Sequence, residues 1–428
     1  MTGGISIEHH CPQCGAPVFL DETDRFFACP YCRVKSCIAQ KGFGRYYLTP
    51  HEDIPETVSP VYLPYWRFKG VQYACTLSGV DHWFTDVSVL AVDHLPPCLP
   101  FSLGFRSQAL TLKRVSARTQ GTFVHPRPFK ESMNTLSGRS RQQRRGKNTL
   151  SPLITEDIGE TFSLIYAPYY ECDGKIYDGV LNTPLGPSRS PTEAHESETD
   201  RGTIFAALKA CRPEKETRIL SGVCPGCGWD LEGHADSLAL VCRNCESLWQ
   251  PRQEKLDRIR FASAEPESPE DVLVPFWKMK GRLRGLPLKT YADLARLCNL
   301  PRVLTEELAG QEIFFWAPAF KIRPRIFLTL SRQFTLAQPV PGLTKRIHPN
   351  PYQPVTLPAA EALQSIKVTL ASLIRPVKDH LPQLAAARLK PVSATLVFLP
   401  FEEGHHELIH RDMNLAINTN VLKLSGNL

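Results

Sequence analysis

The sequence predicts a mainly β, or α+β, protein that arose by internal duplication. Four cysteines occur twice at one spacing, and every member of the second set follows its counterpart at the same distance along the chain. The rest of the chain consists largely of short segments rich in Val, Ile, Phe, Tyr and Thr, interrupted by many of the 37 prolines and 26 glycines. Such segments are typical of strands. Together these observations favour two similar, strand-rich halves.

The cysteines of each set form two Cys-x-x-Cys turns separated by fourteen residues. Two such turns can place four thiolates at the corners of a tetrahedron, the arrangement that Zn²⁺ takes in structural sites. Iron is the rival metal for a site of four cysteines. The sequence therefore predicts two Zn²⁺ ions per chain, one held by Cys11, Cys14, Cys29 and Cys32 and the other by Cys224, Cys227, Cys242 and Cys245.

The residues around these cysteines resemble the zinc-ribbon, or rubredoxin-knuckle, proteins. Pro12, Pro30 and Pro225 preset the backbone of three turns, although the fourth turn, Cys242-Arg-Asn-Cys245, lacks both this proline and a following glycine. The resemblance covers residues 9–37 and 222–249. The chain is also similar to bacterial zinc-ribbon proteins in which an LPFW-like strand follows the ribbon. Both resemblances imply structural metal binding and no particular reaction.

Three further pairs of segments align between the halves, with offsets that grow slowly along the chain. They are Val61–Gly70 with Val272–Gly281, Pro100–Arg114 with Pro318–Arg332, and Ile165–Tyr177 with Val397–Ile409. All are expected to be strands. The predicted organisation is a zinc ribbon at 1–40, a β-rich domain with a flexible basic loop at 41–202, a helix and second zinc ribbon at 203–250, and a second β-rich domain at 251–428.

Helical patterns are sparse. The sequence predicts helices at Thr203–Cys211, Tyr291–Asn299 and Ala359–Ile374, with Thr203 and Thr290 as N-caps. Trp66 and Trp277 occupy matching places in the aligned strands, and two interpretations stay open for them. They are either core anchors of their sheets or an exposed aromatic platform flanked by cations.

His406-Glu407-Leu408-Ile409-His410 matches H-E-x-x-H, the signature of zinc proteases when it lies on a helix. The duplication aligns this stretch with residues 174–178, which contain no histidine. The local pattern favours a hairpin, with a strand at 394–401, a turn at 403–404 and a return at 407–418. In a strand, residues four apart are about 13 Å apart, too far for one ion. A metalloprotease is therefore a minor alternative.

Positive charge is concentrated in two segments. Residues 101–150 contain eleven Lys or Arg and one acidic residue, and residues 313–360 contain six Lys or Arg and no acidic residue. A solvated surface and an acidic partner, which would be nucleic acid, an anionic lipid surface or an acidic protein, are both open explanations. The candidate partner-binding residues are Arg114, Arg139, Arg141, Arg144, Arg145, Lys147 and Arg332.

Composition narrows the class of protein. The hydrophobic share of 42% and mean hydropathy of −0.21 indicate a globular protein, and no apolar run approaches the ~18 residues of a membrane span. The first residues do not resemble a secretory signal, and thiolate sites need a reducing compartment, so a cytoplasmic location is expected.

No phosphate-binding or nucleophile motif is present. The sequence predicts a non-enzymatic scaffold or adaptor in a larger assembly, with nucleic-acid binding through 101–150 and 313–360 as the alternative.

Overall fold

The computed structural model describes residues 5–40, 42–93, 95–104, 110–115, 119–132, 151–187, 204–212, 217–252, 254–339 and 342–423. Strands predominate over helices in this part of the chain, and they form several sheets. The predicted mainly β, or α+β, class is confirmed.

The largest sheet belongs to the first half of the chain. Its strands are β1 (Ser6–His10), β2 (Pro17–Asp21), β5 (Gly44–Leu48), β6 (Val61–Thr76), β7 (Gly79–Leu90), β8 (Leu112–Arg114), β9 (Thr122–Val124), β10 (Ile154–Cys172), β11 (Lys175–Asp178), β12 (Thr183–Pro187) and β13 (Ala210–Cys211). Within the described residues their order is β13-β9-β6-β10-β5-β8-β1-β2, with β7 on β6 and the β11–β12 hairpin on β10. The first ribbon joins this sheet directly, since β1 pairs with β8.

The second half has a smaller sheet with a similar centre. Its strands are β18 (Phe261–Ala264), β19 (Val272–Arg284), β20 (Phe315–Pro318), β21 (Leu343–Thr344), β22 (Arg388–Glu403), β23 (Glu407–His410) and β24 (Leu415–Asn418). Their order in the described part of the chain is β20-β19-β22-β18-β21, and β23 joins β22 to β24. The turn predicted at 403–404 lies at 404–406, because Glu403 still pairs with Leu408 as part of β22, and the predicted return is split into two strands.

Two small sheets flank three of the four cysteine turns, and the Cys11–Cys14 turn joins β1 and β2 of the large sheet. The first contains β3 (Phe26–Ala28), β4 (Lys35–Gln40) and β14 (Thr217–Ser221), and the second contains β15 (Leu240–Cys242), β16 (Ser247–Arg252) and β17 (Lys255–Ile259). In the second sheet all three strands are consecutive in sequence. In the first, the third strand comes from the chain that leads into the second cysteine set.

The described helices are α1 (Tyr291–Leu297), α2 (Glu306–Gly310), α3 (Pro324–Ala337), α4 (Ala359–Leu373), α5 (Val377–Ala386) and α6 (Thr419–Lys423), and residues 129–132 are also helical. The predicted helices at α1 and α4 are confirmed. Thr290 caps α1 through a capping box with Asp293, as its position predicts.

The helix predicted at Thr203–Cys211 is wrong beyond its first residues. Ile204–Ala207 forms one short 3₁₀ turn, and Ala210–Cys211 then pairs with β9 as strand β13. The proposed cap, Thr203, lies outside the described residues. Pairing with a strand from elsewhere in the chain therefore prevails over the weak helical preference of this segment.

The strand expected at Pro318–Arg332 is also wrong over most of its length. Only Phe315–Pro318 is a strand, and Pro324 begins helix α3. Proline suits the first helical position, and the buried Phe327, Leu330 and Phe334 follow helical spacing. The aligned segment of the first half contributes the short strand β8 instead.

The centres of the two halves match residue by residue. Trp66 pairs with Leu164 across β6 and β10, and Trp277 pairs with Leu396 across β19 and β22. The two tryptophans are aligned in the sequence, and the two leucines directly precede another aligned pair of segments. A parallel strand lies against the far side of each pair, β5 on β10 and β18 on β22. The matching register supports the duplication, which stays a prediction.

The main core joins both halves. It contains Trp316, Phe276 and Phe334 from the second half together with Tyr73 and Ile158 from the first. Tyr73 also donates a hydrogen bond to the carbonyl of Pro324 at 3.3 Å. The long strands β6 and β10 therefore reach into the core of the other half. No helix in the described residues is long and apolar enough to cross a membrane.

Candidate metal centres

The first four-cysteine group closes between two hairpins. Cys11 and Cys14 lie in the turn between β1 and β2, and Cys29 and Cys32 lie between β3 and β4. The sulfurs of Cys11 and Cys32 are 3.6 Å apart, and those of Cys14 and Cys29 are 3.7 Å apart. A tetrahedral site with metal–sulfur bonds of about 2.3 Å has sulfur–sulfur edges of about 3.8 Å, whereas a disulfide bond is about 2.05 Å long. The spacing therefore fits four ligands around one ion.

The second group repeats this geometry. The sulfurs of Cys224 and Cys245 are 3.6 Å apart, and those of Cys227 and Cys242 are 3.4 Å apart. In each group all four sulfurs lie within 4.8 Å of one another. They are the two clusters of His, Cys, Asp or Glu with metal-holding geometry in the described residues. The two groups of four cysteines predicted from the sequence are therefore both present in the structure.

All four turns use the same backbone device. The residue after the second cysteine of each turn has positive φ: Gly15 (73°), Arg33 (62°), Gly228 (76°) and Glu246 (50°). Glycine adopts this conformation freely, whereas Arg33 and Glu246 do so at a cost of roughly 1–2 kcal/mol each. The turn of Cys242 and Cys245 therefore keeps the positive φ although Glu246, and not glycine, follows its second cysteine.

Hydrogen bonds favour the thiolate form of some ligands. The backbone N–H of Cys32 lowers the pKa of Cys29 to about 6. The side chain of Asn244 lowers the pKa of Cys227 to about 6. In the second centre, Ser247 also places its hydroxyl 3.0 Å from the sulfur of Cys245. In the same two groups, burial and the neighbouring sulfurs raise the pKa of Cys32 and of Cys242 to about 12, so a metal that binds four thiolates must displace a proton in each centre.

The two ribbons are packed against each other. Phe26 and Cys37 of the first ribbon share a buried cluster with Leu231 and Leu240 of the second. The backbone N–H groups of Arg25 and Phe26 donate to the carbonyl of Ala235, at 2.6 and 2.9 Å. With β14 completing the first small sheet, the two metal centres belong to one contiguous structure. No local pattern in the sequence indicates this contact.

The candidate partner-binding residues fall into two groups. Arg139, Arg141, Arg144, Arg145 and Lys147 lie outside the described residues. Arg114 on β8 and Arg332 on α3 are only partly exposed, and burial lowers the pKa of Arg114. Each of these two has a buried Nε without a hydrogen-bond partner among the described residues. Their role in binding stays a prediction.

The H-E-x-x-H stretch is not helical. Glu407–His410 forms strand β23, which pairs with the end of β22, as the hairpin interpretation predicts. His406 precedes the strand and is exposed, whereas His410 is buried against the rings of Phe334 and Phe401. The helix that the metalloprotease alternative requires is therefore not formed.

The matching tryptophans are core anchors. Trp66 is 3% exposed and Trp277 is 8% exposed, so the exposed-platform interpretation is wrong. Exposed aromatic residues occur instead at the cysteine turns, where Tyr31 is 66% and Trp229 is 59% exposed. The signal for these two was present in the sequence, because Tyr31 lies between two ligands and Trp229 lies two residues after one.

The fold and the two centres define a mainly β protein with two four-cysteine groups, each of which could hold a metal ion, in one contiguous structure. Comparison with protein-family models, with curated proteins and with solved structures found no match to the chain.

Proposed function

We propose that this chain is a non-enzymatic, zinc-stabilised adaptor that binds other proteins of a cytoplasmic assembly. The observation that carries the proposal is the exposure of Tyr31 and Trp229 on turns that a metal ion would hold in place. Tyrosine and tryptophan are enriched among the residues that dominate the binding energy of protein interfaces.

Rigid presentation favours binding through these side chains. Tyr31 lies inside the turn of Cys29 and Cys32, and Trp229 follows the positive-φ residue of the turn of Cys224 and Cys227. Little conformational entropy is lost when a partner buries an aromatic ring whose backbone is already fixed. Packing of the ribbons against each other gives the two turns a fixed relative position.

Zinc is the metal that suits this role. Four thiolates in a tetrahedron without an open position are typical of structural Zn²⁺ sites. Binding of the ion at such a site contributes about 10 kcal/mol to folding. Small ribbons bury too little apolar surface to fold without such a contribution. Thiolate ligands also require a reducing compartment, which supports the cytoplasmic location.

The test compares partners recovered by affinity purification of the tagged full chain from its own cytosol. We expect the double variant Tyr31→Ala/Trp229→Ala to bind two zinc ions and to lose protein partners that the unaltered chain retains after nuclease treatment. The matched control is Phe84→Ala, which removes another exposed ring, 57% exposed on β7, far in sequence from either cysteine set.

The proposal fails if the double variant, with both metal ions bound, recovers the same partners as the control. It also fails if every partner of the unaltered chain disappears on nuclease treatment, because the contacts would then be made through nucleic acid.

A further inference from the structure

The strands β19 and β22 extend beyond their neighbours at one end of the second sheet. Strand β20 pairs with β19 only from Phe276 to Met279, and β18 pairs with β22 only from Leu396 to Phe398. The β19–β22 ladder continues to Arg284 and Arg388. Over that stretch the described residues form a two-stranded ribbon with no third strand on either side.

One face of this ribbon is apolar and the other is cationic. Leu283 is buried and lies opposite Leu389. On the other face Arg282 lies opposite Lys390, and Arg284 lies opposite Arg388. All four cations are exposed. We call this set, Arg282, Arg284, Arg388 and Lys390, the cationic ribbon.

Like charges directly opposite one another destabilise a sheet. None of the four cations has an ion pair with a carboxylate in the described part of the chain, whereas Lys280, the next cation along β19, pairs with Glu312. The repulsion within the cationic ribbon is therefore not relieved by neighbouring acidic residues. An external polyanion would relieve it.

The first half does not share this feature. The alignment of β6 with β19, continued along both strands, places Val71 and Tyr73 where the second half has Arg282 and Arg284. Both are buried, and strand β7 pairs with that part of β6. The four cations thus belong to the second half alone, and the shared strand pairing does not require them.

We propose that the cationic ribbon binds double-stranded DNA by lying in the major groove, with its cations on the phosphates of the groove walls. The major groove of B-DNA is about 12 Å wide and admits a two-stranded β-ribbon, whereas the major groove of duplex RNA is too deep and narrow for side chains to enter. Three of the four cations are arginines, which can bind phosphate through two parallel hydrogen bonds.

The spacing of the cations suits such contacts. Residues two apart along a strand are about 6.8 Å apart, and opposite residues are about 5 Å apart, so the four charges form a compact rectangle. A register shift between Lys280 and Gly281 lies next to this rectangle. Such irregularities increase the right-handed twist of a ribbon. The proposed site goes beyond the adaptor function and does not depend on it.

The experiment measures the affinity of the full, metal-loaded chain for a mixed-sequence DNA duplex of about 30 base pairs by fluorescence anisotropy. With four phosphate contacts, log K against log salt concentration should have a slope near −3.6, which corresponds to a loss of about 100-fold between 50 and 200 mM salt. The variant Arg282→Gln/Arg388→Gln should reduce the magnitude of this slope by about 2 and weaken binding about 10-fold or more at low salt.

The matched control is Arg258→Gln/Arg260→Gln, which removes the same net charge from exposed residues outside the cationic ribbon. Because Arg282→Gln/Arg388→Gln relieves repulsion between like charges, that variant should fold and bind both metal ions at least as well as the unaltered chain. Equal loss of affinity in both variants would overturn the proposal, as would no binding of DNA or tighter binding to duplex RNA or anionic vesicles.

Discussion

Arg67 and Glu22 form an ion pair in which both side chains are almost completely buried, with 2% and 5% of their surface exposed. Arg67 lies on the central strand β6, and Glu22 follows β2 in the first ribbon. The other terminal nitrogen of Arg67 donates to Asp86 on β7 at 3.0 Å. The contact therefore links the ribbon that carries the first metal centre to the centre of the large sheet.

Substitution of Glu22 tests how strongly this link stabilises the fold. Removing one partner of a buried pair leaves the other charge in a poorly solvated place, at a cost of about 3–5 kcal/mol. Because Arg67 keeps its hydrogen bond to Asp86, we expect Glu22→Gln to lower the free energy of unfolding by an amount near the lower end of that range. Urea unfolding of the metal-loaded chain measures the change in the free energy of unfolding.

Glu254→Gln is the control, since it breaks an exposed pair with Arg218 in which both side chains are more than half exposed. Such pairs contribute about 0–1 kcal/mol. Equal losses in the free energy of unfolding of the two variants would show that the buried pair of Arg67 and Glu22 stabilises the fold no more than an exposed pair does.

Loss of one thiolate should affect the two metal centres unequally. We expect Cys14→Ser to release the ion of the first centre, so that the metal content falls from two ions to one per chain, because the second centre keeps all four ligands. Metal content measured by mass spectrometry after gel filtration checks this result. Cys172→Ser, a change in a cysteine outside both clusters, should keep two ions.

The shared cluster of Phe26, Cys37, Leu231 and Leu240 adds a second consequence. Unfolding of the first ribbon removes one side of that cluster, so the remaining ion should exchange faster with a chelator than it does in the unaltered chain. Complete loss of both ions from Cys14→Ser would mean that the two centres fold as one unit.

The features that could be predicted from the sequence are local ones. A Cys-x-x-Cys turn and the N-cap Thr290 each depend on residues within a few positions, so the local sequence predicted the two cysteine groups and helix α1. The pairing of β14 with β4 joins segments that are far apart in the chain and has no such local signature. The contact between the ribbons was therefore not predictable.

The burial of the charged side chains of Arg67 and Glu22 could not be predicted from the sequence either. Alternation along β6 separates Arg67 from Trp66, but it cannot show that Glu22 will meet Arg67 across another element. Lys278, which the alignment of β6 with β19 places at the position of Arg67, instead lies 4.4 Å from the ring centre of Phe314. Cations at equivalent positions of β6 and β19 therefore have different partners in the two halves.

The pH dependence of stability should depend in part on His410. Burial lowers its pKa, although Asp412 opposes the shift, and its ring packs 5.1 Å from that of Phe401. The folded chain therefore keeps this histidine neutral, whereas the unfolded chain takes up a proton near pH 6.5. Its contribution to stability is complete above about pH 6.5 and is lost as the pH falls below that value.

The measurement is urea unfolding at pH 7.5 and pH 5.5. We expect the unaltered chain to lose up to about 1.4 kcal/mol more than His410→Gln between these pH values. Acid release of metal affects both proteins alike and cancels in the comparison. His406→Gln, at the exposed end of the same motif, is the control and should behave as the unaltered chain does. An identical pH dependence in all three proteins would contradict the prediction that His410 contributes to the pH dependence of stability.

Trp66 and Trp277 provide a test of whether the two halves are built alike. The indole Nε1 of Trp66 donates to the carbonyl of Arg127 at 2.7 Å, and that of Trp277 donates to the carbonyl of Leu357 at 2.8 Å. Trp→Phe at either position removes the donor from a carbonyl in a part-buried or buried hydrogen bond, at a cost of about 1–3 kcal/mol. We expect similar losses at the two positions, measured by urea unfolding, because each variant removes an indole hydrogen bond to a main-chain carbonyl.

Trp229→Phe is the control, since this ring is 59% exposed and its substitution should change stability by no more than about 0.5 kcal/mol. A large loss at one buried tryptophan and none at the other would mean that only one half depends on this anchor. Equal losses would give energetic support to the duplication that the matching strand register indicates.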